Sequence, residues 1–154
     1  MDNIPAWVTI YRIALVREGS LPCVEDRIHS ALTVSRLLQT YLPDADREHF
    51  VVLLLDQKHG VIGINTVSVG SLTASIVNPR EVFKPAILAN AAAIICGHNH
   101  PSGGDPHPSR EDRAITTKLV EAGKLLGIDV LDHVIIGAEG RYFSFADAGL
   151  IETR

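Results

Sequence analysis

A chain of 154 residues, 46% apolar and 21% charged, has the length of one domain and enough apolar surface for a single core, which excludes a disordered chain and leaves little room for a second domain. A formal charge of -4 offers no general attraction to a polyanion, so a nucleic-acid interface would need a local basic patch. The two cysteines, Cys23 and Cys96, are too few and too far apart for a disulfide scaffold, and a reducing, cytoplasmic setting is expected.

The opening stretch MDNIPAWVTIYRIALVREG is interrupted by Arg12 and lacks the basic start and unbroken apolar core of a secretory leader. Residues 8–17 are β-branched and aromatic and predict a strand; Trp7 and Tyr11 are expected in the core, with a dimer contact on an edge strand as the other reading, so homo-oligomerisation stays open. Over 25–41, Ile28, Leu32, Ser35 and Leu38, with Leu42 beyond them, fall at helical spacing. The runs 48–56 and 61–69 predict a hairpin turning at Gln57-Lys58-His59-Gly60 on the surface.

Asn78 before Pro79, with Glu81 in the first turn, predicts a helix start, the helix running to about Asn90. The longest apolar run, Pro85–Gly97, is too short to span a bilayer and contains Asn90, so no membrane association is expected. Its second part, AAAIICGH, predicts a strand buried on both faces that ends by delivering His98. The prolines and glycines of HNHPSGGDPHPS force an irregular loop, after which a helix runs from Ser109 to about Leu126 and stops at Gly127. Residues 128–137 and 141–145 predict two more strands. The alternation makes the class α/β, a mixed sheet flanked by helices.

His98 and His100 lie two apart, so if the strand continues through Asn99 both imidazoles project to one side. Catalytic zinc typically takes three protein ligands and leaves a position for water. Asp112, in the first turn of the following helix, is the natural third, and a carboxylate there is favoured by the helix dipole. Two imidazoles and a carboxylate suit zinc, one ion per chain, better than copper or an iron–sulfur cluster. Ordinary readings stand beside this one: strand histidines often only hydrogen-bond, and Ser109-x-x-Asp112 is also a capping box.

The conjunction within fifteen residues of His-x-His, Pro-Ser-Gly and Pro-Ser-x-x-Asp, with Pro79-Arg80-Glu81-Val82-Phe83 upstream and Leu131-Asp132-His133 downstream, resembles the RadC family of JAMM (MPN+/JAB) metallohydrolases, over roughly Asp26 to Phe145. The resemblance implies an MPN/JAB, cytidine-deaminase-like architecture, with zinc on His98, His100 and Asp112. It also implies Glu48 as the general base that takes a proton from zinc-activated water and returns it, and Ser109 as a stabiliser of the oxyanion. Without the resemblance, Glu48 reads as a solvated residue at a helix-to-strand junction.

The spacing from His100 to Asp112 is one residue longer than the family's usual loop, with the extra residue in Gly103-Gly104-Asp105; a glycine pair absorbs one residue locally, so ligation is expected to survive. Residues 1–24 contain nothing like the helix-hairpin-helix DNA-binding segment of longer family members, so residues 1–154 are expected to form a stand-alone domain of this type.

Cys96 shares the strand parity of His98 and is expected beneath the site rather than as a fourth ligand. His107 reads as an exposed loop residue, Asp132-His133 as a buried hydrogen-bonded pair, structural or supporting the ligands, and Pro101, Ser102 and Gly103 as shapers of the loop. The first functional expectation is a peptidase or isopeptidase acting on a peptide or isopeptide substrate. A metal-dependent nuclease or DNA-repair factor ranks second, weakened by the acidic charge, and a non-catalytic scaffold third, weakened by the complete ligand set.

Overall fold

The computed structural model describes residues 6–23, 25–43, 46–70, 77–101 and 104–152. Five strands form one sheet in the order β2-β1-β3-β4-β5, with β1 His49–Leu55, β2 Val61–Val69, β3 Ala93–Asn99, β4 Asp129–Ile136 and β5 Tyr142–Ser144. The β3–β4 pair is parallel and the other three are antiparallel, which is the expected mixed sheet. Every residue of β3 is buried, and only His49 of β1 is not, because helices cover both faces of these central strands.

Alternation along the strands sorts the core into two layers. Val51, Leu53, Leu55 and Ile95 face α1, Ala31–Tyr41. Phe50, Val52, Leu54, Ile94 and Cys96 face the other side, where α2, Pro79–Leu88, contributes Val82 and Phe83 and α3, Arg110–Leu126, contributes Leu119. The α2 cap is as expected: the Asn78 side chain accepts from the Arg80 amide and Pro79 takes the first helical position. At the end of α3, Gly127 adopts φ 71°, the left-handed conformation a residue with a Cβ resists.

Cys96 is wholly buried, and burial, with the nearby Asp132 charge adding to it, pushes its thiol far above the ordinary range; Cys23 is exposed. A thiol reagent should therefore titrate Cys23 alone in the native protein and reach Cys96 only after denaturation. Two reactive thiols in the native protein would contradict this packing.

Two expectations are corrected at the N-terminus. The strand expected over 8–17 does not form: these residues take no regular secondary structure and pair with no described strand, and Trp7 and Tyr11, expected in the core, are 89% and 84% exposed. A β-prone pattern becomes a strand only where a neighbour supplies hydrogen bonds. The helix expected from 25 begins at Ala31, capped by the Ser30 hydroxyl, which accepts from the Thr33 amide. Residues 26–28 instead bond the hairpin turn, with the Ile28 amide donating to the His59 carbonyl and the Val61 amide to the Asp26 carbonyl. The helix consequently buries Ala31, Val34, Ser35, Leu37 and Leu38, leaving Leu32 at 41% exposure.

Among the described residues no helix is long and apolar enough to cross a membrane. The hairpin turn itself is built by Asp56, whose Oδ1 accepts from the amides of Lys58 and Gly60 at 2.8 Å each.

Candidate metal centre

The site gathers at one end of the sheet because three chain segments meet there. β3 ends at Asn99, so its carboxyl end delivers His98 and His100; the crossover from β3 to the parallel β4 is made by α3, whose first turn carries Asp112 back to that end. β1 runs antiparallel to β3 with Phe50 opposite His98, and extending that register by two residues sets Glu48 opposite His100.

His98 Nε2 lies 3.0 Å from His100 Nε2 and 3.2 Å from Asp112 Oδ1, and His100 Nε2 lies 3.5 Å from Asp112 Oδ2. The three ligand atoms fall within 4.8 Å of one another, in a group that could hold a metal ion. His98 and Asp112 are buried and His100 is partly buried. His100 Nδ1 stands 2.7 Å from the Asp105 carbonyl, which can only accept, so this nitrogen carries a proton and in the neutral ring Nε2 presents a lone pair. Acceptors drawn this close together require positive charge between them, either protons or a cation, and this is the observation that fits the cluster to a metal ion.

The electrostatics state the same demand. Burial opposes ionisation of Asp112, yet its contacts with His100 and His98, and the Ser109 amide, hold its carboxyl far below the usual carboxylate range. His100 is raised above the ordinary imidazole value chiefly by Asp112, against partial burial, and the Glu48 charge adds to the effect, so the Glu48 carboxylate is within electrostatic reach of the cluster.

Both readings of Ser109-x-x-Asp112 hold together. The Ser109 amide donates to Asp112 Oδ2 at 2.7 Å and the Asp112 amide to Ser109 Oγ at 3.1 Å, a complete capping box. Oδ1 of the same carboxylate faces His98. The longer loop has not carried Asp112 away from the histidines; Ser102 and Gly103, expected to shape that loop, lie outside the described residues. Gly104 packs so tightly that a Cβ there would fall 1.9 Å from the His100 carbonyl oxygen, and its own carbonyl accepts from Ala138 at 3.1 Å.

Cys96 belongs to the core layer and not to the ligand group. His107 is exposed, its ring edge-on to Phe143. Asp132 and His133 are both buried, and the Asp132 carboxylate accepts from the His133 amide at 2.7 Å as well as from the Ala146 amide and the Ser144 hydroxyl. The expected buried, hydrogen-bonded pair is therefore present, made through the His133 amide, while the two side chains point to opposite faces as adjacent strand residues do.

Sequence reasoning missed three residues. Asn99 accepts from the His49 amide at 2.7 Å and donates to the Arg47 carbonyl at 3.0 Å, so its buried side chain clamps the backbone on either side of Glu48. Phe50 stacks on His98 with ring centroids 6.0 Å apart. Thr116 lies one turn beyond Asp112 and donates to its carbonyl at 2.6 Å, a spacing legible in the sequence once Asp112 is suspected.

A cleft of about 450 Å³ opens beside His100, lined by Gln39, Leu42, Pro43, Asn99, Ile136 and Gly137 among others and, among the described residues, by no lysine or arginine.

Comparison with known proteins agrees with this geometry. A family model described as a RadC-like JAB domain matches residues 28–150. The chain is 49% identical over 140 residues to a UPF0758 protein of Rubrobacter xylanophilus, which covers 91% of this chain and 59% of the relative. It is 52% identical over 126 residues to one of Methanosarcina mazei, covering 82% and 54%, and 54% identical over 125 residues to one of Methanococcoides burtonii, covering 81% and 54%. The chain thus spans little more than half the length of these curated relatives. The family and the His-His-Asp cluster together fit a metal-dependent hydrolase.

Proposed function

The chain belongs to the RadC family of JAB-type domains, and from that premise we propose that it is a zinc-dependent hydrolase of the metallopeptidase or isopeptidase kind, with His98, His100 and Asp112 holding one zinc ion. The observation that carries this is the convergence of two imidazole nitrogens and a carboxylate, one of the imidazoles, His100, lining a cleft. Zinc in such a donor set supplies a Lewis acid that makes water nucleophilic near neutral pH and polarises a carbonyl.

The chain's own groups supply the rest. Glu48, steadied through Asn99 and opposite His100 in register, is the group that takes a proton from the attacking water and returns it to the leaving amine. Ser109 Oγ accepts from the Asp112 amide, which leaves the hydroxyl hydrogen to donate to an oxyanion formed beside the cluster. A cleft with apolar side chains and two amides, and among the described residues no lysine or arginine, suits a peptide segment better than a nucleic-acid backbone, so the nuclease reading gains no support from it.

The test is elemental analysis of untagged protein beside a His98→Ala, His100→Ala double variant, followed by a screen of peptide and isopeptide substrates. One zinc per chain, absent from the variant, with metal-dependent cleavage of an amide substrate, is the expected result. No divalent metal after zinc is supplied, or equal metal in both proteins, sinks the metal-centre reading.

A further inference from the structure

Against the far side of His98 lies a second histidine that neither the ligand set nor the hydrolytic reading uses. His133, on β4, is wholly buried, stacked on Phe145 at 4.8 Å between ring centroids and edge-on to Phe50 at 5.4 Å. Its Nε2 lies 2.7 Å from His98 Nδ1 and its Nδ1 lies 2.6 Å from Thr116 Oγ1. Thr116 Oγ1 in turn lies 2.6 Å from the carbonyl oxygen of Asp112.

The proton positions follow from what each atom can do. A carbonyl oxygen only accepts, so the Thr116 hydroxyl spends its one proton on Asp112 and must accept from His133 Nδ1–H. A second proton on His133 would bury a cation between two aromatic rings with no carboxylate in contact, so the ring is neutral and Nε2 is a lone pair. His98 therefore donates through Nδ1–H. Its Nε2, the atom facing His100 and Asp112, is left as a lone pair.

We propose that His133, held by Thr116, is a positioning residue that locks His98 in the Nδ1–H tautomer and aims its Nε2 lone pair at the metal, while the same hydrogen-bond chain ties the first turn of α3 to β3 and β4. This rests on the cluster being a metal centre. Histidine ligands usually pass this hydrogen bond to a carboxylate, a backbone carbonyl or water. Here the neighbouring carboxylate, Asp132, is engaged on the opposite face and a neutral imidazole takes the position. His98 is thereby oriented without a second negative charge behind it, and Asp112 is the single anion among the three ligands, which leaves a bound cation more of its charge to act on a substrate oxygen.

Zinc affinity, measured by competition with a chromophoric chelator, tests this on wild type, His133→Leu and His133→Gln, with thermal unfolding of the metal-free forms and ¹⁵N imidazole spectra alongside. His133→Leu is expected to weaken zinc binding by about 10- to 100-fold. His133→Gln, whose amide oxygen can accept from His98 and whose NH₂ can donate to Thr116, should recover most of that loss. The wild-type spectrum should show His98 protonated at Nδ1. Equal zinc affinity in wild type and His133→Leu, or equal losses in both variants that track only a lower melting temperature, would overturn the positioning role and leave the metal centre standing. Should His133→Leu not fold, a wild-type spectrum with His98 protonated at Nε2 overturns it as well. A wild type that takes up no zinc overturns both this inference and the metal-centre reading.

Discussion

Replacing Glu48 by glutamine is expected to leave zinc content and fold unchanged while lowering kcat/KM on an amide substrate by about 10²- to 10⁴-fold, the usual contribution of a positioned general base. The substitution keeps the size of the side chain, and Asn99 holds the backbone on either side through Arg47 and His49, which favours an unchanged geometry at the start of β1. On the proposed reading what is lost is the proton acceptor, together with a negative charge that reaches His100. Turnover and metal content measured on the same preparation separate the two roles. Full activity in Glu48→Gln would remove the base assignment, and loss of zinc would make Glu48 a contributor to metal binding instead.

On the proposed reading Asp112 performs two tasks with two oxygens, and two substitutions separate them. Asp112→Asn keeps a carbonyl oxygen to accept from the Ser109 amide, so the metal-free protein should melt close to wild type. Without the anionic oxygen that faces His98, however, it should lose most of its zinc. Asp112→Ala loses both functions. The cap bond contributes about 1 kcal/mol, which for a domain of this size lowers Tm by about 2–4 °C even without metal. Zinc at a thousand times its Kd stabilises the native state by about 4 kcal/mol, so zinc should raise the melting temperature of wild type and leave both variants nearly unmoved. Differential scanning calorimetry with and without zinc reads all of these. A zinc-dependent rise in Asp112→Ala equal to that of wild type would show that the carboxylate is not a ligand.

The legibility of the site tracks how local each interaction is. His98 and His100 share a face through strand period, and Ser109 and Asp112 share a helix turn; both relations lie within a few residues and can be read directly. The segment 47–49 is about fifty residues from Asn99, so the clamp around Glu48 could not be seen without the β1–β3 register. His133 was visible as a buried residue bonded to its neighbour Asp132, but the contact of its ring with His98 was not, since that needs the β3–β4 register.

By itself the sequence determined the α/β class, the positions of β1 to β5, the starts of α2 and α3 and the stop at Gly127, because caps, prolines and hydrophobic period act on the chain locally. Only the tertiary structure decided that residues 8–17 would pair with no described strand, that residues 26–28 would bond the hairpin turn and delay α1 to Ala31, and that a buried imidazole would lie against His98. Each of these depends on which distant segment comes alongside. A strand needs a neighbour's hydrogen bonds and a buried imidazole needs a partner for each nitrogen, and neither requirement is written in the residues next to it.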